Sequence, residues 1–228
     1  MPFFYDQTFL ILIPGIILAG YASWKVRSTF GRYSEVPSGT GYTGARVAME
    51  LLRRQGITDV KIEPVQGALA DHYDPRTKVL RLSPDVHDGT SLAAIGVAAH
   101  EAGHAVQHRE GYAPLALRSA IVPVATIGTN AAWILFIIGA IVGSTRLMDL
   151  GIVLFLGYIA FALITLPVEF NASNRAVALL QGQGFVLPQE AQGVRAVLNA
   201  AALTYVAAAA MAIFQLIRLV VLRRMSDD

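Results

Sequence analysis

Four long apolar stretches constrain this chain more than any other feature of its sequence. They fall near residues 3–24, 119–143, 147–168 and 199–222, and each is long enough as a helix to cross a hydrocarbon core about 30 Å thick. The rest of the composition agrees, since 54% of the 228 residues are hydrophobic and only 15% are charged. Soluble globular chains carry about a quarter of their residues as charges. The expected class is therefore a mainly α membrane protein with four transmembrane helices.

The first stretch has Asp6 near its start and Lys25 and Arg27 just after it. With no basic region ahead of the apolar core, it reads as a retained anchor and not as a cleaved secretory signal. Only Gly143, Ser144, Thr145 and Arg146 separate the second stretch from the third, which makes the pair a membrane hairpin. The fourth is rich in alanine between Ala200 and Ala212, and small residues let helices approach closely in a bilayer. Four crossings put residues 25–118 and 169–198 on one face, with both termini and the hairpin turn on the other. Near the membrane ends the first face carries Lys25, Arg27, Arg32, Arg109, Arg118, Arg175 and Arg195, and the second carries Arg146, Arg218, Arg223 and Arg224. That bias assigns the polar face to the cytoplasm of a multi-pass protein of the inner, or plasma, membrane.

Between the first and second stretches, charges, prolines and glycines return, and residues 25–118 form the expected extramembrane domain. Thr43 opens an amphipathic helix carrying Val47, Leu51 and Leu52 that Gly56 closes. Val60–Val65 and Lys78–Leu82 are strand candidates, and the second is a possible sheet edge to which an extended peptide could add. Asp71, His72, Tyr73 and Asp74 lie between them and read as a polar turn shaped by Asp74 and Pro75. Ser83 and Ser91 each look like a helix start.

The helix after Ser91 carries the chemistry, in the run His100, Glu101, Ala102, Gly103, His104. Positions four apart lie on one helix face, so both imidazoles can reach one ion, while the glutamate sits about 100° round the helix. This is the arrangement of zinc proteases. Two histidines and a carboxylate leave a fourth zinc position for water, whose pKa falls toward neutrality, and the glutamate beside it serves as general base and proton shuttle. The third ligand should be a downstream acid on the same membrane face. Glu169 fits best, because a carboxylate so close to hydrocarbon needs a cation or a partner, the competing partner being Arg175. His108 lies about 6 Å further along the helix axis than His104, too far to converge on the same ion.

Beyond this motif, the chain resembles the YugP-type neutral zinc metallopeptidases, integral membrane proteins of bacteria. The resemblance rests on Gly67–Arg76, on Leu82 and Ser83, on Val97–Gln107 including the HEAGH run, and on Pro167–Phe170 with Ala172, Ser173, Arg175 and Ala176. More distantly it is similar to the HtpX and CAAX prenyl proteases, whose third ligand is a glutamate on a later helix. In those families an aspartate four residues after that glutamate orients a zinc-binding histidine. Here the position is Ser173, which leaves Asn171 or Asn174 as candidates for the hydrogen bond that fixes a histidine tautomer.

Together these readings give a membrane zinc endopeptidase with a small α+β, zincin-like domain of the gluzincin type and one Zn2+ per chain. His100, His104 and Glu169 are the expected metal ligands and Glu101 the base, with His72 or Tyr73, and Arg175, as candidates for stabilising an oxyanion. The expected partners are the lipid bilayer and a membrane or unfolded polypeptide. A non-catalytic membrane assembly or quality-control factor with a structural zinc is the alternative, although such a site has no use for Glu101. An intramembrane protease is disfavoured because only about eight apolar residues precede His100, too few to span. A transporter would need more intramembrane polar groups than Asn130 and Gln215. The net charge of +2 without a basic, aromatic-interleaved patch argues against nucleic acid, and the lack of cysteine excludes thiolate chemistry.

Overall fold

The computed structural model describes residues 7–226, so Asp6 and the beginning of the first apolar stretch lie outside the described residues. A 3-10 turn, Gln7–Leu12, leads into α1 (Ile13–Ser34), followed by α2 (Gly44–Arg54), β1 (Lys61–Pro64), β2 (His72–Asp74) and β3 (Val79–Leu82). The remainder is helical: α3 (Pro84–His87), α4 (Leu92–Arg109), α5 (Ala113–Val142), α6 (Thr145–Gly182) and α7 (Pro188–Arg224). Four helices are long and apolar enough to cross a membrane, and they contain α1, α5, α6 and α7. Large apolar side chains along them face outward, among them Ile17, Val124, Ile127, Ile141 and Val153, as helices solvated by lipid require.

The chain divides into two compact units. Of the described residues, one unit comprises 7–22, 116–167 and 204–226. Its interior is Phe136 of α5, Met148 and Phe155 of α6 and Leu219 of α7. The α5–α6 hairpin is tight because Gly151 lets the two backbones meet, and a Cβ there would lie 2.7 Å from the Ala132 carbonyl oxygen.

The other unit comprises residues 23–115 and 168–203. Its core is built from Leu51 of α2, Leu80 and Leu82 of β3, Ile95 and Ala102 of α4, Leu180 of α6 and Val194 of α7. Local chemistry sets the helix starts: the Thr43 hydroxyl accepts from Arg46 N–H, and the Ser91 hydroxyl accepts from Ala94 N–H. The α6–α7 turn is fixed by Glu190, whose carboxylate accepts from Leu187 N–H at 2.6 Å and, from a distant loop, from Gly39 N–H at 2.7 Å.

The sheet corrects two expectations. Its order is β1-β3-β2, with β3 parallel to β1 and antiparallel to β2. The 78–82 strand is therefore central, both of its ladders are used, and no peptide can add to it; β1 and β2 are the edges. The segment read as a turn is largely β2 itself, His72 pairing with Arg81 and Asp74 with Val79. The turn lies just beyond, where Asp74 accepts from Arg76 N–H at 2.9 Å and from the Thr77 hydroxyl at 2.7 Å.

Candidate metal centre

Two helices of the second unit build the centre. α4 supplies His100, Glu101 and His104, and α6 supplies Glu169, two residues past Pro167. The helices meet backbone to backbone at Gly103, where a Cβ would lie 2.8 Å from the Ala172 carbonyl oxygen. Any larger residue at this point in the HEAGH run would hold Glu169 away from the histidines.

The donor atoms of His100, His104 and Glu169 all lie within 4.8 Å of one another. Glu169 Oε2 is 3.1 Å from His100 Nε2 and 3.6 Å from His104 Nε2. A tetrahedral zinc with bonds of about 2.0–2.1 Å has donor-to-donor edges of about 3.3 Å. The two Glu169 edges bracket that value and the third lies within 4.8 Å, so these donors are of the right kind and close enough to hold a zinc ion.

The outer nitrogens of the two rings are held in place as well. His104 Nδ1 is 3.0 Å from Gln107 Oε1, an atom that can only accept, so Nδ1 carries the proton and Nε2 presents its lone pair to the cluster. The amide orientation of Gln107 is fixed in turn, because its Nε2 donates to the Val168 carbonyl and to Asn171 Oδ1, both at 2.9 Å. His100 Nδ1 is 3.1 Å from the Ser173 hydroxyl, a contact that orients the ring. The expectation that Asn171 or Asn174 would hold a histidine is thereby corrected. Asn171 acts one step further out, through Gln107, and Asn174 faces away, exposed. Gln107 is wholly buried and was missed in the sequence, although its place three residues after His104 puts it on the same helix face.

Burial alone would push the Glu169 carboxyl up, but the two imidazoles beside it hold it below the usual carboxylate range. Burial pushes the His104 ring down, and the Glu169 and Glu101 carboxylates outweigh that and raise it. Both shifts share one physical cause, the attraction between the Glu169 carboxylate and the imidazoles beside it, with Glu101 adding to it at His104. Glu101 is 8% exposed, and its carboxylate has no hydrogen bond or ion pair with any described residue. A buried carboxylate so placed is short of donors.

The remaining expected residues are peripheral. Arg175 donates from Nε to Asn171 Oδ1 at 2.7 Å and pairs with Glu110 Oε2 at 2.7 Å, which holds the Glu110 carboxyl below its ordinary value. His72 is exposed, and its Nδ1 is 2.8 Å from the Ala70 carbonyl. Because side chains alternate along a strand, it points opposite to Tyr73, whose hydroxyl meets His108 Nδ1 at 2.9 Å. Burial pushes the Tyr73 phenol up to about 12, which keeps it protonated in that bond.

An integral membrane chain with a buried histidine, histidine and glutamate cluster on two packed helices defines the class: a membrane protein with a zinc-peptidase-type centre. Residues 8–224 match the model of the family described as "Putative neutral zinc metallopeptidase", and the chain belongs to that family. It is 48% identical over 212 residues to "Putative membrane protease YugP" of Bacillus subtilis (strain 168), covering 93% of this chain and 94% of that protein. No solved structure matches it.

Proposed function

We propose that this chain is a membrane zinc endopeptidase of the gluzincin type, with a small zincin-like domain formed by α4 and the three-stranded sheet. One zinc per chain is held by His100, His104 and Glu169. The observation that carries this reading is the donor triangle, whose 3.1 and 3.6 Å edges suit a tetrahedral zinc with one position left for a non-protein ligand. Zinc bound there supplies a Lewis acid that lowers the pKa of a water molecule and polarises a carbonyl.

Glu101 takes the proton of the attacking water and returns it to the leaving amine, a role suited to a buried carboxylate with no fixed partner. Gln107 and Ser173 hold the two imidazoles with their Nε2 atoms toward the ion. Arg175 is a positioning residue, bracing Gln107 through Asn171. Nothing in the contacts of His72 draws it toward the donors, and the mechanism is built without it. The substrates are membrane-bound or unfolded polypeptides presented at the cytoplasmic face of the plasma membrane. A purely structural zinc would close its fourth position with a protein side chain, and among the described residues this cluster has three donors.

The test is metal content and casein cleavage by detergent-purified wild type, Glu101→Gln and Glu169→Ala. Wild type is expected to hold one zinc and cut, Glu101→Gln to hold zinc without cutting, and Glu169→Ala to lose both. Equal zinc in all three would remove Glu169 from the ligand set and overturn the proposal.

A further inference from the structure

Where α1 leaves its apolar stretch, a cleft of about 360 Å³ lies between α1 and α7, within the same compact unit as the metal centre. Its α1 wall is one helix face, Lys25, Ser28, Thr29 and Arg32, spaced i, i+3, i+4 and i+7. Its α7 wall begins at Ala196 and continues through Asn199 and Ala200 to Leu203. By sequence, Lys25 directly follows one apolar stretch and Asn199 opens another, so both walls cross the same membrane boundary.

Three further observations give the cleft a chemistry. No carboxylate lines it, and neither Lys25 nor Arg32 forms an ion pair with a described residue. The two cations stand seven residues apart, about 10 Å along the axis, with the Ser28 and Thr29 hydroxyl positions between them. Tyr21 and Trp24, half or more exposed on the turn before Lys25, mark the level at which amphipathic rings sit in a bilayer. Cationic and hydroxyl groups therefore stand at headgroup depth, with an apolar strip running from them toward the hydrocarbon.

We propose that this cleft binds the headgroup of one anionic phospholipid, its phosphate between Lys25 and Arg32 and one acyl chain along Ala200 and Leu203. Basic pockets between membrane helices recognise anionic headgroups in this way. The apolar strip is what favours a lipid over a free phosphate ester, which would gain nothing from it.

The experiment is native mass spectrometry of the full-length, delipidated protein in detergent, titrated with short-chain phosphatidylglycerol, with the matching phosphatidylcholine, and with soluble glycerol phosphate. One phosphatidylglycerol should remain bound to wild type and to Lys25→Arg, and its retention should fall about 30-fold in Lys25→Gln/Arg32→Gln, the effect of two cations at an anionic surface. Both side chains are exposed, so the double variant should fold, as shown by unchanged zinc content and circular dichroism. Equal retention of the two lipids, retention unaffected by the double substitution, glycerol phosphate binding as well as the lipid, or displacement of the lipid by an acidic peptide would each overturn the proposal.

Discussion

Replacing Gly103 with alanine tests the closest contact in the centre. A Cβ at Gly103 would meet the Ala172 carbonyl oxygen at 2.8 Å, whereas ordinary contact begins at 3.4 Å. The obstacle is backbone, so α4 and α6 must separate by about 0.6 Å locally, the difference between those two distances. Ala172 stands between Glu169 and Ser173, and the displacement moves a metal donor and an imidazole anchor away from His100 and His104. Zinc sites hold their bond lengths to about 0.2 Å, so a shift of this size is three times the tolerance. Zinc affinity should fall by about 10–100-fold, as when an outer-shell contact is lost. Overpacking costs about 1–3 kcal/mol, and the better helix propensity of alanine returns about 1 kcal/mol, leaving a net loss of about 0–2 kcal/mol. Gly96→Ala is the matched control. Its Cβ would meet Val194 Cγ1 at 3.1 Å, a side-chain atom on a helix that carries no metal donor, so zinc affinity should stay at the wild-type level. The assay is competition for zinc against a chromophoric chelator, with thermal unfolding of each purified variant. If Gly103→Ala binds zinc as tightly as Gly96→Ala and unfolds at the same temperature, the helix contact does not set the donor geometry.

The outer anchors should separate by effect. Gln107→Leu leaves His104 Nδ1 and the Val168 carbonyl without their buried partner and should weaken zinc binding by about 10–100-fold, while Asn174→Ala, at an exposed position, should change nothing in the same competition assay. Ser173→Asp, which supplies a charged partner to His100 Nδ1, should hold zinc at least as well as wild type, and Ser173→Ala less well. Removing the metal with a chelator should lower the melting temperature of the wild type and restore it on adding zinc, but leave that of Glu169→Ala unmoved, because a ligand stabilises only a fold that binds it. Phe136→Ala, in the apolar core of the other unit, should cost about 3–5 kcal/mol in unfolding without changing zinc content, which separates fold from site.

The parts of this protein that were legible in its sequence are those governed by local rules. Apolar length gives the four candidate spans, hydroxyl caps at Thr43 and Ser91 give two helix starts, and the four-residue spacing of His100 and His104 gives a shared face. What was not legible depends on pairing across the chain. β2 has three residues and an Asp-Pro step after it, so its strand character comes from β3 and not from its own composition. The central place of β3 likewise depends on a parallel partner, β1, that lies before β2 in the chain. Gln107 reads as an ordinary polar residue near a helix end until Val168 and Asn171 of α6 arrive to satisfy its amide. The third apolar stretch was read as ending near residue 168, yet α6 runs through Pro167 and on to Gly182, since packing on either side outweighs one missing hydrogen bond.

The division of the donors between α4 and α6 also has a consequence for how such a chain is made. His100 and Glu169 are 69 residues apart, with two apolar stretches between them. At ribosomal rates of about 5–20 residues per second, that gap lasts roughly 3–14 s, during which the nascent chain has His100, soon joined by His104, and lacks the carboxylate. The centre can close only after the α5–α6 hairpin has been synthesised, so a partly made chain is without the complete cluster. Gly103 then acts as the gauge of arrival, because only a correctly seated α6 can come close enough to bring Glu169 into place.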